Sequence, residues 1–97
     1  MDENIQLTGF NKIDSSEMLV INKILDRYKG RFKEICRDVK SLQVSLKPIH
    51  EKEKSELYEI HILLIDDGKR HSAEVTDRNL FFGLDTALKK VENSISK

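Results

Sequence analysis

The dipeptide Asp67-Gly68 stands between two runs in which apolar and polar residues alternate. Asp-Gly in that setting favours a two-residue hairpin with a type I′ turn, whose central residues both need positive φ. Such a turn fixes the register of the strands it joins. Leu64 is set opposite His71, Ile62 opposite Ala73 and Ile60 opposite Val75, with all six on one side of the pair. The run Leu57 to Ile65 is the more apolar strand, with Tyr58, Ile60, Ile62 and Leu64 on one face, and His71 to Thr76 is its partner. A ribbon with one greasy side needs a cover.

The cover follows directly. Asp77 offers a helix N-cap, and from Asn79 on Leu80, Phe81, Leu84, Ala87, Leu88, Val91 and Ile95 recur at helical spacing. Period two gives way to period 3.6 within a few residues. A second amphipathic helix is predicted near the start of the chain. Asp14-Ser-Ser-Glu17 has the capping-box form with Asp14 as N-cap, and Ile21, Ile24, Leu25, Tyr28, Phe32 and Ile35 mark one face behind it. Gly30 inside that pattern costs about 1 kcal/mol against alanine, but the periodicity runs through it, so one helix is expected.

Two further strands complete the set. Ile5-Gln-Leu7-Thr8 alternates and ends at Gly9. Leu42, Val44 and Leu46 alternate with Ser41, Gln43 and Ser45, and Pro48 is expected to stop that strand. The charged run from His50 to Ser55 reads as a mobile loop. The order β-α-β-β-β-α predicts an α+β sandwich, one four-stranded sheet with two helices packed on one face. That arrangement is like a double-stranded-RNA-binding domain.

Ninety-seven residues make a single domain, 1–97, and a chain this short buries only about two-thirds of its unfolded surface, leaving little room for a deep pocket. The one cysteine, Cys36, allows no internal disulfide and no cysteine-based metal cluster. No apolar run approaches the roughly 20 residues of a membrane span, and Met-Asp-Glu-Asn lacks a signal-peptide pattern. A soluble cytoplasmic protein with no membrane partner is expected.

Catalysis has little to stand on. His50, His61 and His71 fall in the loop, on the polar strand face and on the core face, so they do not converge on a metal. By the hairpin register His61 lies opposite Glu74, a cross-strand polar pair. His71 is expected to be a half-buried histidine with its hydrogen bonds met. Arg37 beside Cys36 would favour the thiolate slightly, but a plain helix-end cysteine is the simpler reading. Asp66-Asp67 reads as turn chemistry, and the glycines are too scattered for a phosphate loop. No enzyme activity, cofactor, metal or small-molecule substrate is expected.

Charge placement says more than charge total. Lysine plus arginine and aspartate plus glutamate stand at 17 each, so the balance is zero. Between Lys23 and Lys40, however, seven basic residues face three acidic ones, and from Glu51 to Asp77 the bias reverses. The neutral total conceals a basic helix and an acidic hairpin. Lys23, Arg27 and Arg31 recur at i, i+4 and i+8, a ridge beside the apolar stripe of the first helix. Lys89, Lys90 and Lys97 lie on the polar side of the second helix, with Lys90 and Lys97 seven apart. Helices lying side by side would join these rows into one basic surface suited to phosphates. The bland alternative is a pair of ordinary solvated helix faces, with lysine stems covering apolar edges.

The second-helix stretch Asn79-Leu80-Phe81-Phe82-Gly83-Leu84-Asp85-Thr86-Ala87-Leu88-Lys89-Lys90-Val91-Glu92 resembles the corresponding helix of the ribosome hibernation-promoting factor and ribosome-associated inhibitor family, also called sigma-54 modulation proteins. Ile5 to Gly9, the capped helix through Tyr28, Phe32 and Ile35, and Gly68-Lys-Arg-His71-Ser-Ala73-Glu74 are similar to further parts of that pattern. The sequence departs from it at Lys89, often aspartate in the family, and at Asn93, usually arginine. The resemblance implies the same β-α-β-β-β-α order and binding to the small ribosomal subunit, in the channel of mRNA and tRNA, to silence translation under stress. It implies contacts to ribosomal RNA from Arg27, Lys90 and Lys97, with Lys23 and Arg31 on the same ridge. Because the chain ends at Lys97, the C-terminal dimerisation domain of the long family members is not expected, and neither is dimerisation through it. A general structured-RNA-binding module and a protein–protein adaptor using the acidic hairpin remain open alternatives.

Overall fold

A computed structural model describes residues 5–51 and 55–95 of the protein, with side chains described except at 50, 51, 55 and 56. The elements run β1 (Ile5–Thr8), α1 (Ser15–Ile35), β2 (Val39–Glu51), β3 (Ser55–Asp66), β4 (Lys69–Asp77) and α2 (Leu80–Ile95). One four-stranded sheet has the order β1-β2-β3-β4. The first pair is parallel, bridged by α1, and the others are antiparallel. This is the predicted α+β arrangement.

The hairpin forms as its dipeptide predicts. Asp67 and Gly68 take φ of 52° and 87°, and Ile60, Ile62 and Leu64 pair with Val75, Ala73 and His71. Leu42, Val44 and Leu46 of β2 lie across from Leu64, Ile62 and Ile60, so the inner face is one apolar sheet surface. Ile21, Leu25, Tyr28 and Phe32 of α1 and Leu80, Leu84, Ala87, Leu88 and Val91 of α2 close over it. Each such aliphatic or phenyl side chain contributes roughly 1.5–3 kcal/mol by leaving water. Ile35, assigned to the same stripe from its spacing, is 39% exposed at the end of α1.

Asp14 caps α1 as predicted, its Oδ1 accepting the Glu17 N–H at 2.9 Å, and the helix runs unbroken through Gly30. The cap of α2 is Asn79 rather than Asp77. Asp77 still belongs to β4, paired with Tyr58, and its carboxylate accepts the Asn79 N–H at 2.8 Å in a local turn. Asn79 Oδ1 then accepts from Phe82 N at 3.0 Å, as an N-cap does. Gly83 lets α2 sit close to the sheet. A Cβ there would stand 2.9 Å from Ile60 Cδ1 and 3.1 Å from Asp77 Cβ.

Pro48 does not stop β2. The strand continues to Glu51, with Pro48 opposite Tyr58. The reason lies on the other side of β2, where β1 covers only Leu42 to Ser45. Beyond that point no strand pairs with this side of β2 among the described residues, and an edge tolerates a residue without an N–H. His50, Glu51 and Ser55 are likewise strand rather than loop, pairing His50 with Glu56 and Glu51 with Ser55. The middle of the expected loop, 52–54, lies outside the described residues.

Candidate nucleic-acid interface

The helices that cover the sheet run in the same direction, because β1, β2 and β4 are mutually parallel and each helix returns against its strand. Side by side, they bring the solvent flanks of α1 and α2 together along a seam. Lys23, Arg27 and Arg31 of α1 are all exposed, as their spacing predicts. Lys89 and Lys90 of α2 are exposed as well, while Lys97 lies outside the described residues.

The partners of the two arginines are what spacing on one helix does not reveal. Arg27 Nη2 donates to Asp85 Oδ1 at 2.9 Å, and Arg31 Nη1 donates to Glu92 Oε1 at 3.3 Å, both across the seam. Tyr28 lies beneath, only 1% exposed, with the guanidinium carbons of Arg27 and Arg31 5.5 and 5.1 Å from its ring centroid. Burial raises the Tyr28 phenol above its ordinary value, and the Asp85 charge and a hydrogen bond to Asp85 raise it further. The phenol therefore keeps its proton beside Asp85. Tyr28, Arg27 and Asp85 form one connected group at the centre of the seam.

The lysines of α2 divide between two flanks. At 3.6 residues per turn, Lys89 lies only about 40° around the helix from Asp85, whereas Lys90 lies about 140° away. Lys90 shares its flank with Ser94, whose hydroxyl is 3.2 Å from His71 Nδ1 on β4. Lys23, Arg27, Arg31 and Lys89 thus group along the seam, with Lys90 on the β4 side. The rows expected to merge into one basic surface are interleaved with Asp85 and Glu92. Among the described residues, Lys23, Lys89 and Lys90 make no ion pair.

Two other polar clusters stand apart from the seam. On the open face of the sheet, His61 Nε2 is 3.6 Å from Glu59 Oε1 and 3.8 Å from Glu74 Oε2. The cross-strand pair expected from the register is present, with Glu59, two residues along β3, added to it. These three could offer one ligand atom each to a cation, all within 4.8 Å of one another, from the face of the sheet that the helices leave uncovered. His71 is on the core face and half-buried, as expected, and does not join them.

The second cluster closes the α1–β2 connection. Asp66 is not a turn residue. It is 7% exposed and accepts the Asp38 N–H at 2.8 Å and the Arg37 N–H at 3.1 Å. Those bonds, led by the one from Asp38, hold its carboxyl below the usual aspartate value despite burial. Cys36 has the opposite fate. Burial, then the adjacent Asp66 charge, pushes its thiol up to about 11, so Arg37 does not favour a thiolate there. The cysteine is an inert helix cap whose N–H donates to Phe32 O at 2.9 Å.

A mixed four-stranded sheet with two codirectional helices on one face defines the class of fold, an α+β sandwich whose exposed helix seam carries its clustered arginines. Among solved structures, the ribosomal subunit interface protein from Coxiella burnetii is similar, with a TM-score of 0.66 and 15% identity over 95% of this chain and 92% of that one. The N-terminal domain of Thermus thermophilus Protein Y is also similar, with a TM-score of 0.58 and 20% identity over 98% and 96% of the two chains. At these identities the likeness is one of fold, and it is the fold that the sequence resemblance implies. No protein-family model matches the chain, and no curated protein does.

Proposed function

We propose that this protein is a ribosome-associated factor of the hibernation type, a cytoplasmic, non-enzymatic inhibitor that occupies the small ribosomal subunit. One observation carries the reading above the others. The fold is matched along nearly the whole of both chains by a ribosomal subunit interface protein. The resemblance of the α2 sequence to the hibernation-factor pattern points the same way, independently of the fold.

The mechanism follows from what the exposed helix faces can do. Lys23, Arg27, Arg31, Lys89 and Lys90 can contact phosphates, and Lys97 extends that set in the sequence. Such contacts position a protein on structured RNA without any bond being made or broken. Inhibition is then steric: the domain fills space that translation needs.

Phosphate contacts release counterions, so binding should fall steeply with salt. Sedimentation with purified small subunits tests this directly. Co-migration is expected at low salt and its loss at high salt, whereas no co-migration under any condition would refute the reading. Replacing Arg27, Lys90 and Lys97 together with alanine should weaken binding roughly tenfold or more, with the fold intact by circular dichroism. Equal affinity for small subunits and for an arbitrary RNA duplex would instead favour a general structured-RNA binder.

A further inference from the structure

We propose that Asp85 and Glu92 are selectivity residues, standing in for phosphates along the seam and screening Arg27 and Arg31 from arbitrary polyanions. This deepens the reading of the helix faces as an RNA-binding surface and rests on it.

The argument begins with charge at the seam. Each arginine already meets a carboxylate across the helix pair, at 2.9 and 3.3 Å. A phosphate arriving at either guanidinium meets a carboxylate already bonded to it, and must either displace that anion or bind beside it against its repulsion. The net gain is therefore small for any ligand that reaches only one of them. Arg27 and Arg31 are one helical turn apart, roughly 6 Å along the axis. That spacing is comparable to the step between consecutive phosphates of an RNA strand. A strand whose path runs along the seam replaces both carboxylates together, whereas a disordered polyanion, or a regular duplex whose strands cross the seam obliquely, reaches only one.

The exchange is feasible because the pairs are accessible. The side chains of Arg27 and Asp85 are 57% and 36% exposed, and those of Arg31 and Glu92 are 47% and 22% exposed. Exposed pairs of this kind are weak and easily opened. Their arrangement is nonetheless defined, since the buried Tyr28 ring underlies both guanidiniums. Lys23 and Lys89, which make no ion pair among the described residues, supply the long-range attraction. The carboxylates then decide which ligands profit from close contact.

The test compares two variants that each remove two negative charges. Asp85→Asn with Glu92→Gln unscreens the seam. Glu59→Gln with Glu74→Gln makes the same change in net charge on the open face of the sheet. Binding is measured to a mixed-sequence RNA duplex and to purified small subunits, over a series of salt concentrations. The seam variant should bind the duplex about 5- to 10-fold more tightly than wild type, with a salt dependence steeper by about one to two phosphate contacts. The sheet-face variant should change affinity for the duplex by less than about twofold, as expected of screened distant charge. Affinity of the seam variant for small subunits should rise less than its affinity for the duplex.

Equal gains from the two variants, or no gain from the seam variant, would overturn the proposal. Asp85→Asn and Glu92→Gln made singly should each give part of the effect, so a folding defect in the double variant does not protect the idea. The two readings fail separately. If wild type does not bind small subunits but the seam variant still gains on the duplex, the ribosomal reading falls and the screening role stands. If wild type binds small subunits and the seam variant gains nothing on the duplex, the reverse holds.

Discussion

Asp66 and Asp85 are both aspartates that meet α1 or its end from another element, yet their surroundings differ in every respect that matters. Asp66 is buried and accepts two main-chain N–H groups from the turn after α1, at 2.8 and 3.1 Å. Asp85 is about a third exposed and accepts from a guanidinium. A main-chain N–H has nowhere else to go without unfolding its segment, and burying it unpaired is costly. A guanidinium on a long stem can swing to another acceptor at little cost. The first carboxylate is architecture; the second is a contact that can be exchanged. Partner type and burial, rather than charge, separate a residue that keeps the fold from one free to serve a ligand.

The contrast can be broken at three points, taken from the largest expected effect down. Cys36 is touched by the buried carboxylate and has a thiol raised to about 11. Its alkylation by iodoacetamide at pH 8 should run on the order of 100-fold slower than that of an unperturbed cysteine. Asp66→Ala should speed it, and an unchanged rate would mean that Asp66 does not govern the thiol.

Next is stability. Asp66→Ala leaves the part-buried N–H groups of Arg37 and Asp38 without their acceptor and should lower the unfolding free energy by about 1–3 kcal/mol in urea titrations. Because the folded-state carboxyl lies below its ordinary value of 3.8, its charged form is what the fold favours. Its contribution is therefore complete at neutral pH and is lost as pH falls below that value, through the depressed one. The gap between wild type and variant should accordingly shrink in acid, and a gap that widened there would reverse the assignment.

The smallest effect belongs to the seam. Asp85→Asn should change stability by less than about 1 kcal/mol, as for other half-exposed pairs. A loss as large as that of Asp66→Ala would make Asp85 structural and erase the distinction.

Local periodicity carried most of the fold. The alternation around Asp67-Gly68 determined which residues of β3 and β4 face each other, and the Asp14 cap with its apolar stripe located α1. What escaped depended on neighbours distant in the chain. Pro48 reads as a stop unless one knows that β1 leaves that edge of β2 bare. Asp77 and Asn79 are both good caps, and the choice turns on where β4 lets go of β3. Asp66 looks like half of a turn because its donors lie 28 and 29 residues upstream. The ridge of Lys23, Arg27 and Arg31 was legible on its own helix. The acids facing it were not, for they stand 58 and 61 positions away from their arginines.

The shared direction of α1 and α2 has an electrical consequence. Peptide dipoles in each helix place a partial positive charge at the amino end and a partial negative one at the carboxyl end. Codirectional helices add these rather than cancel them. With Arg27 level with Asp85, α1 begins about seven residues further out, a stagger of roughly 10 Å between the two positive poles. A chain of formal charge zero is thus an axial dipole along its own groove. An anionic strand laid along that seam would not find its two ends equivalent.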